Sequence, residues 1–233
     1  GIVCLLIILP LIIFFEGAFT VRLSLVITAV FFAIFATPIF FLLRERTTPQ
    51  PLPPSETYLS LGFKRVAATV RRAGGFREFI KFIFAFLIYN DGVLMALSFA
   101  SIIGAVLFGM DQQALILFVI LVQVTNVAGA YLFGVVVDRW DGKRSLIFSI
   151  SLMIFAIILM FFAQTQTIFY VIGAIAGFAM GGIQSVSRTM VGLLSPAGQS
   201  AEFFGFFAVA GRTSSFIGPA VYGWVAAEVA LMY

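Results

Sequence analysis

Asp91 carries the strongest chemical signal in this sequence, because a carboxylate stands there inside a long apolar stretch. It lies about ten residues into the run Phe82–Gly109, which has no other charge. A carboxylate deep in an apolar helix is costly unless it faces a cavity, meets a partner or takes up a proton. Two interpretations therefore stay open. Asp91 binds a substrate ammonium or couples to a proton, or it is a structural carboxylate bonded to a neighbouring helix end.

The neighbours of Asp91 favour an irregular helix at this point. Tyr89 and Asn90 precede it and Gly92 follows it. Asn, Asp and Gly are poor helix-interior residues, so the sequence predicts local unwinding here. Broken helices of this kind line the binding sites of many membrane transporters.

Further polar residues stand in other apolar runs. Gln123 and Asn126 are three residues apart and share a helix face, where they line a path or bond two helices together. Gln184 and Arg188 lie toward the end of a later run. Arg212 lies about a third of the way into the last run. Arg212 either snorkels to the surface or pairs with an acidic residue or an anionic group.

Glycines mark the face on which one of these helices packs. Gly173, Gly177 and Gly181 are each four residues apart, and such a stripe lets another helix approach closely. The single cysteine, Cys4, is interpreted as a small apolar residue of a hydrophobic helix.

Composition excludes most other chemistry. There is no His and one Cys, so His-based metal sites, catalytic triads and disulfides are ruled out, and we expect no metal or cofactor. The absence of a G-x-S-x-G elbow and of paired intramembrane carboxylates argues against an enzyme. With 62% hydrophobic and 10% charged residues, the chain is a polytopic membrane protein, and soluble, disordered and disulfide-rich classes are excluded.

Seven apolar runs are read as membrane-spanning helices, each of which needs about 20 residues. The first run is shorter than this, and we expect it to be truncated at the start of the sequence. The predicted spans are Ile2–Phe15, Leu23–Leu43, Phe82–Gly109, Ala114–Val137, Leu146–Ala163, Thr167–Leu194 and Phe203–Ala227. The sequence starts at Gly1 inside the first run and ends at Tyr233 just after the last. We therefore expect a fragment that lacks both ends of a longer protein.

Positive charge predicts which side of the membrane each loop faces. If the spans alternate, 13 of the 14 Lys and Arg residues fall on one side and only Arg22 on the other. The positive-inside rule makes the richer side cytoplasmic, and the basic balance reflects topology rather than nucleic-acid binding. We predict two spans in residues 1–43, a cytoplasmic linker at 44–78 and five spans in 79–233. Within the linker, Tyr58–Arg72 is either a basic amphipathic helix on the membrane surface or an ordinary linker helix.

One short loop between two spans is rich in charge. Asp138 is suited to capping a helix N-terminus and pairing with a basic group. Its basic neighbours bind acidic groups or lipid phosphates. The loop is interpreted as a charged latch between helix ends, or as a set of charges that only reflect which side of the membrane the loop faces. Its residues of interest are Gly134, Asp138, Arg139, Gly142, Lys143 and Arg144.

This loop resembles the G-x-x-x-D-R-x-G-R-R signature of the major facilitator superfamily, with one extra residue at Trp140-Asp141 and Lys143 in place of Arg. Four other stretches resemble one branch, the vacuolar amino-acid effluxer-like family. The resemblance covers Thr37–Tyr233, and the four stretches occur in order within it. They are Tyr89–Gly92, Gly181–Arg188 with Ser187 and Arg188, Ala201–Gly205 with Glu202, and Gly211–Pro219 with Gly218 and Pro219.

The resemblance implies an all-α fold, with the seven spans equivalent to helices five to eleven of twelve and the others on missing parts of the same polypeptide. It implies a secondary transporter that works by alternating access on a small, amino-acid-like solute, with or without a coupled proton. Asp138 would latch the cytoplasmic gate. The membrane would be the plasma membrane in a bacterium or the vacuolar membrane in a fungus. A non-transporting receptor or scaffold on the same fold is the alternative. The resemblance leaves the oligomeric state open.

Overall fold

The computed structural model describes residues 2–15, 17–42, 76–196 and 198–232, and all regular structure in these ranges is helical. The chain divides into two compact units, Gly1–Arg72 and Ala73–Tyr233, and each is described by itself. The predicted amphipathic helix at Tyr58–Arg72 lies outside the described residues, as does most of the predicted linker.

The first unit contains a hairpin of two helices, α1 (Ile2–Phe14) and α2 (Ala18–Leu42). Gly17 between them has a φ of 129°, a conformation that glycine adopts without strain. Cys4 is buried, and its Sγ lies 3.8 Å from Thr28 Oγ1 on α2. Cys4 therefore packs between the two helices, as expected of a small apolar residue.

The second unit contains five long helices. They are α3 (Arg77–Phe108), α4 (Gln112–Arg139), α5 (Gly142–Phe161), α6 (Gln166–Leu194) and α7 (Ser200–Met232). Most of α2 and all of α3 to α6 are long and apolar enough to cross a membrane. The predicted all-α polytopic fold is confirmed, and each predicted span corresponds to one helix.

The helix ends follow local sequence signals. Gly109 has a φ of 60° and ends α3 in a left-handed conformation. Asp111 caps α4 by accepting a 2.7 Å hydrogen bond from the Ala114 amide. Thr165 caps α6 in the same way through the Ile168 amide. These short turns hold consecutive helices antiparallel.

Helix α6 lies at the centre of the second unit and packs most closely on α4. A Cβ on Gly181 would meet the Asn126 carbonyl and lie 2.7 Å from the Ala130 amide nitrogen. A Cβ on Gly177 would lie 2.5 Å from the Val122 carbonyl oxygen. The predicted packing role of the glycine stripe is therefore confirmed, and its partner is α4.

Helix α3 packs on α7 through aromatic side chains. Phe203 of α7 is fully buried, and its ring centroid lies 4.4 Å from that of Phe79. Phe207 lies one turn after Phe203 on α7, and its ring centroid is 4.2 Å from that of Phe86 on α3. Phe203 belongs to the Ala201–Gly205 stretch, so part of that motif serves packing.

The expectation of unwinding at Asn90-Asp91-Gly92 is wrong. Helix α3 is continuous from Arg77 to Phe108. Asn and Asp disfavour helices chiefly when their side chains compete for nearby backbone groups. Here both side chains bond to α7 instead, so this competition is removed and the helix passes through unbroken.

Candidate functional site

Three consecutive residues of α3 connect it to the two helices beside it. The Tyr89 hydroxyl lies 2.7 Å from Ser187 Oγ on α6. Ser187 in turn donates to the Ile183 carbonyl at 2.6 Å, so Tyr89 is the donor in the first bond. Ser187 is fully buried, and a hydroxyl pair of this kind holds two membrane helices at a defined distance.

Asn90 makes the matching connection to α7. Its Nδ2 donates to Ser214 Oγ at 2.6 Å, and the Gly211 carbonyl lies 3.5 Å from the same nitrogen. Ser214 is fully buried and donates to the Gly211 carbonyl at 3.0 Å. The amide of Asn90 is therefore committed to holding α3 against α7.

Asp91 also contacts α7, through a backbone group. Its Oδ1 accepts a 2.8 Å hydrogen bond from the Gly218 amide. A Cβ on Gly218 would collide with Met95 and lie 2.8 Å from Asp91 Oδ1, so a glycine permits this approach. Pro219 follows and has no N–H of its own, which leaves the α7 backbone one hydrogen bond short at this level. The two predicted motifs, Tyr89–Gly92 and Gly211–Pro219, thus meet each other.

An open cavity of about 580 Å³ lies beside this connection, between α3, α6 and α7. Its polar lining consists of Asn90, Gln184, Ser187, Arg188, Arg212 and Ser215. Phe86, Phe204 and Phe207 form much of its apolar wall. Each helix contributes residues three, four or seven positions apart, so one face of each helix is turned to the cavity.

The cavity has a positive electrostatic character. Arg188 and Arg212 are exposed into it, and its lining contains no acidic residue. Among the described residues, neither guanidinium forms an ion pair. The same part of the chain brings no three His, Cys, Asp or Glu side chains together, so it holds no metal-binding cluster.

The predicted residues of α4 are placed elsewhere. Gln123 and Asn126 are partly buried, but neither belongs to the lining of the polar cavity. The Asn126 backbone faces the glycine stripe of α6. The structure therefore brings Asn90, Gln184, Ser187, Arg188 and Arg212 together and leaves the two α4 amides apart from them.

The charged loop joins α4 to α5, and none of its residues lines this cavity. Asp138, Arg139, Lys143 and Arg144 are all exposed, and Asp141 precedes α5 without a side-chain cap. Gly142 is buried, and a Cβ there would lie 2.8 Å from the Met190 sulfur. A Cβ on Gly134 would lie 3.8 Å from Ser185 Oγ, an ordinary contact. The loop thus packs by its glycine and presents its charges outward.

Sequence reasoning missed Ser214 and Ser215 as individual site residues. Ser214 bonds to Asn90, and Ser215 lines the cavity. Their spacing from two glycines could have indicated them. Ser214 and Ser215 lie three or four residues from both Gly211 and Gly218. This spacing marks one helix face.

Comparison with known proteins gives the geometry a family context. The sequence profile of a family described as vacuole effluxer Atg22 like matches residues 1–229. An uncharacterized MFS-type transporter of Bacillus subtilis, YxiO, is 27% identical over 199 residues, which cover 85% of this chain and 45% of that protein. Autophagy-related protein 22-1 of Penicillium rubens is 26% identical over 88% of this chain and 38% of its own length. Autophagy-related protein 22 of Yarrowia lipolytica is also 26% identical, over 88% and 40%.

The family match begins at residue 1, so it extends further toward the start of the chain than the resemblance predicted from the sequence, which began at Thr37. The chain spans less than half the length of these curated relatives. No solved structure matches it.

Proposed function

Since the chain belongs to the vacuole effluxer Atg22-like family of the major facilitator superfamily, we propose that it is part of a secondary active transporter for a small, amino-acid-like solute. The observation that supports this most is the cavity of about 580 Å³ lined by polar residues of three membrane helices. Polar side chains inside membrane helices are costly, and a solute pathway accounts for them.

Alternating access is the mechanism that this arrangement fits. Helices α3 to α7 form one compact unit with its own core, as expected of a body that rocks as a whole. The Tyr89–Ser187 and Asn90–Ser214 bonds keep α3, α6 and α7 together while the unit moves. Alternating access would then expose the cavity to each side of the membrane in turn.

Charge placement supports an orientation with the α4–α5 loop in the cytoplasm. Arg139, Lys143 and Arg144 lie at this loop, and the α6–α7 connection is at the same end of the bundle. The protein would reside in the plasma membrane of a bacterium or the vacuolar membrane of a fungus.

Asp91 is the proposed coupling residue. It is the only acidic residue within the apolar part of α3, and its carboxylate holds the Gly218 amide of α7. A carboxylate accepts such a bond more strongly than a neutral carboxyl does. Protonation of Asp91 would therefore weaken the α3–α7 connection beside the cavity, and this links a proton to a helix contact.

Asp138 is proposed to latch the cytoplasmic gate. Its side chain is exposed, and within the described residues it forms no ion pair, so it is available to a partner in the other half. Replacing Asp138 with Ala in the full-length protein should slow turnover at least about tenfold while solute affinity stays within about twofold. Initial uptake rates and equilibrium binding of the same solute measure the two effects. Unchanged turnover would remove the latch role.

The function itself is tested on the full-length protein in proteoliposomes. Uptake of each of the twenty radiolabelled common amino acids is measured with and without an imposed pH gradient, and protein-free vesicles serve as the control. We expect saturable uptake of at least one amino acid, enhanced by the gradient. Binding without uptake would favour the receptor or scaffold alternative. If there is neither binding nor uptake of any amino acid, the proposed solute class is wrong.

A further inference from the structure

The donors that remain free in the polar cavity are mostly cationic. Asn90 is engaged by Ser214, and Ser187 by Tyr89 and the Ile183 carbonyl. Gln184 has no hydrogen-bond partner among the described residues. The groups left to meet a ligand are therefore this amide and the guanidinium groups of Arg188 and Arg212.

The positions of the two arginines set them within the bundle. Arg212 lies 12 residues after the start of α7, or about 18 Å along the helix at about 1.5 Å per residue. Arg188 lies six residues before the end of α6, or about 9 Å from the same end of the bundle. Two like charges that line one cavity repel each other, and an anion between them relieves this repulsion.

The choice of anion follows from the chemistry of guanidinium and from the cavity wall. A planar guanidinium bonds to a carboxylate through two parallel N–H donors, and this pairing is stronger than a neutral hydrogen bond. The aromatic wall of Phe86, Phe204 and Phe207 offers an apolar surface beside the charges. No acidic residue in the lining is placed to receive an ammonium group.

We propose that this cavity is the carboxylate-binding half of the solute site, with Arg188 and Arg212 as the anion-binding pair and the phenylalanine wall holding an apolar solute body. The proposal rests on the transport function given above and narrows its solute to small organic carboxylates with an apolar body. The amino group of an amino acid is not recognised by this half of the site.

The test uses three probes with closely matched carbon skeletons on the purified full-length protein. They are L-leucine, 4-methylpentanoate, which lacks the amine, and 3-methylbutylamine, which lacks the carboxylate. Binding is measured as the ligand-dependent rise in melting temperature at constant pH and ionic strength. We expect both carboxylates to bind and the amine not to bind. Binding of the amine alone, or of none of the three probes, would overturn the proposal.

Variants then assign the carboxylate to the two arginines. Arg188→Gln and Arg212→Gln should each weaken 4-methylpentanoate binding at least about tenfold. Arg77→Gln removes an exposed arginine at the start of α3, outside the cavity, and should leave binding unchanged. Arg188→Lys and Arg212→Lys keep the charge but lose the planar fork, so their affinity for 4-methylpentanoate should lie between that of the Gln variants and that of the unaltered protein. They replace a Gln variant that does not fold.

The outcomes separate this inference from the function. Carboxylate binding that survives both Gln variants would place the anion elsewhere, and would fit arginines that pair with acidic residues of the other half. Carboxylate binding without transport would count against the transporter function but not against the site. Transport without carboxylate selectivity would count against the carboxylate site but not against the transporter function.

Discussion

Proteoliposomes that contain the full-length Asp91→Asn protein should no longer accumulate solute in response to an imposed proton gradient, while exchange of labelled for unlabelled solute continues. The reason is that the only proposed proton-binding group in the apolar part of α3 has been removed. The solute cavity is left in place, since Asp91 is not among its lining residues. Gradient-driven uptake should fall to the level of protein-free vesicles.

Asparagine is the informative replacement because it can keep the hydrogen bond to α7 but cannot take up a proton as a carboxylate does. Its side-chain oxygen can accept the hydrogen bond that the Gly218 amide gives to Asp91 Oδ1 at 2.8 Å. The α3–α7 connection should therefore persist, and the melting temperature should stay close to that of the unaltered protein. Asp91→Ala removes both properties and should lower stability as well as coupling.

Asp111→Asn is a matched control for this experiment. Asp111 caps α4 at an exposed turn, and Asn is an equally good cap, so the variant should keep both stability and gradient-driven uptake. If Asp91→Asn accumulates solute as well as Asp111→Asn does, Asp91 is a structural carboxylate. If the unaltered protein itself ignores the gradient, coupling to protons is wrong altogether.

The helices could be predicted from the sequence because hydropathy and charge are properties of single residues in order. Each predicted span corresponds to one helix, and the glycine stripe of α6 meets α4 as small residues allow. The spans depend on local composition, and the close contact of α6 with α4 depends on glycine having no side chain. The orientation and the linker rest on the same kind of reasoning, and they stay predictions.

The continuous course of α3 through Asp91 could not be predicted from the sequence, because it depends on contacts with a neighbouring helix. Local propensity favours unwinding at Asn90 and Asp91, whereas Ser214 and the Gly218 amide supply partners that only the folded bundle brings there. The same limit applies to Gln123 and Asn126. Helical spacing showed that they share a face, but it cannot say which helix or cavity that face meets.

Only some of the residues that line the cavity could be predicted from the sequence. Gln184, Arg188 and Arg212 stood out because polar residues are rare in apolar runs. Ser214 and Ser215 did not, since serine is common in membrane helices, where its hydroxyl can bond to its own backbone. The structure distinguishes them: Ser214 is fully buried against Asn90, and Ser215 lines the cavity.

The closest helix contact of the second unit gives the largest expected effect on stability. Replacing Gly181 with Ala places a methyl group against the Asn126 carbonyl and 2.7 Å from the Ala130 amide nitrogen. Both are backbone atoms, so α4 and α6 must separate to make room. We expect a loss of about 1–3 kcal/mol in the free energy of unfolding, the usual cost of overpacking. Thermal unfolding of the purified full-length protein measures it as a lower midpoint.

Gly192→Ala is the control on the same helix, because a Cβ there meets nothing within 4 Å. It should leave the midpoint unchanged or raise it, since alanine favours the helix over glycine. Equal midpoints for the two variants would show that α4 and α6 are not in such close contact. Gly181 also lies one turn before Gln184 and two turns before Arg188, both in the cavity lining. A shift of α6 away from α4 should therefore reduce solute binding as well as stability, so cavity geometry depends on helix packing behind it.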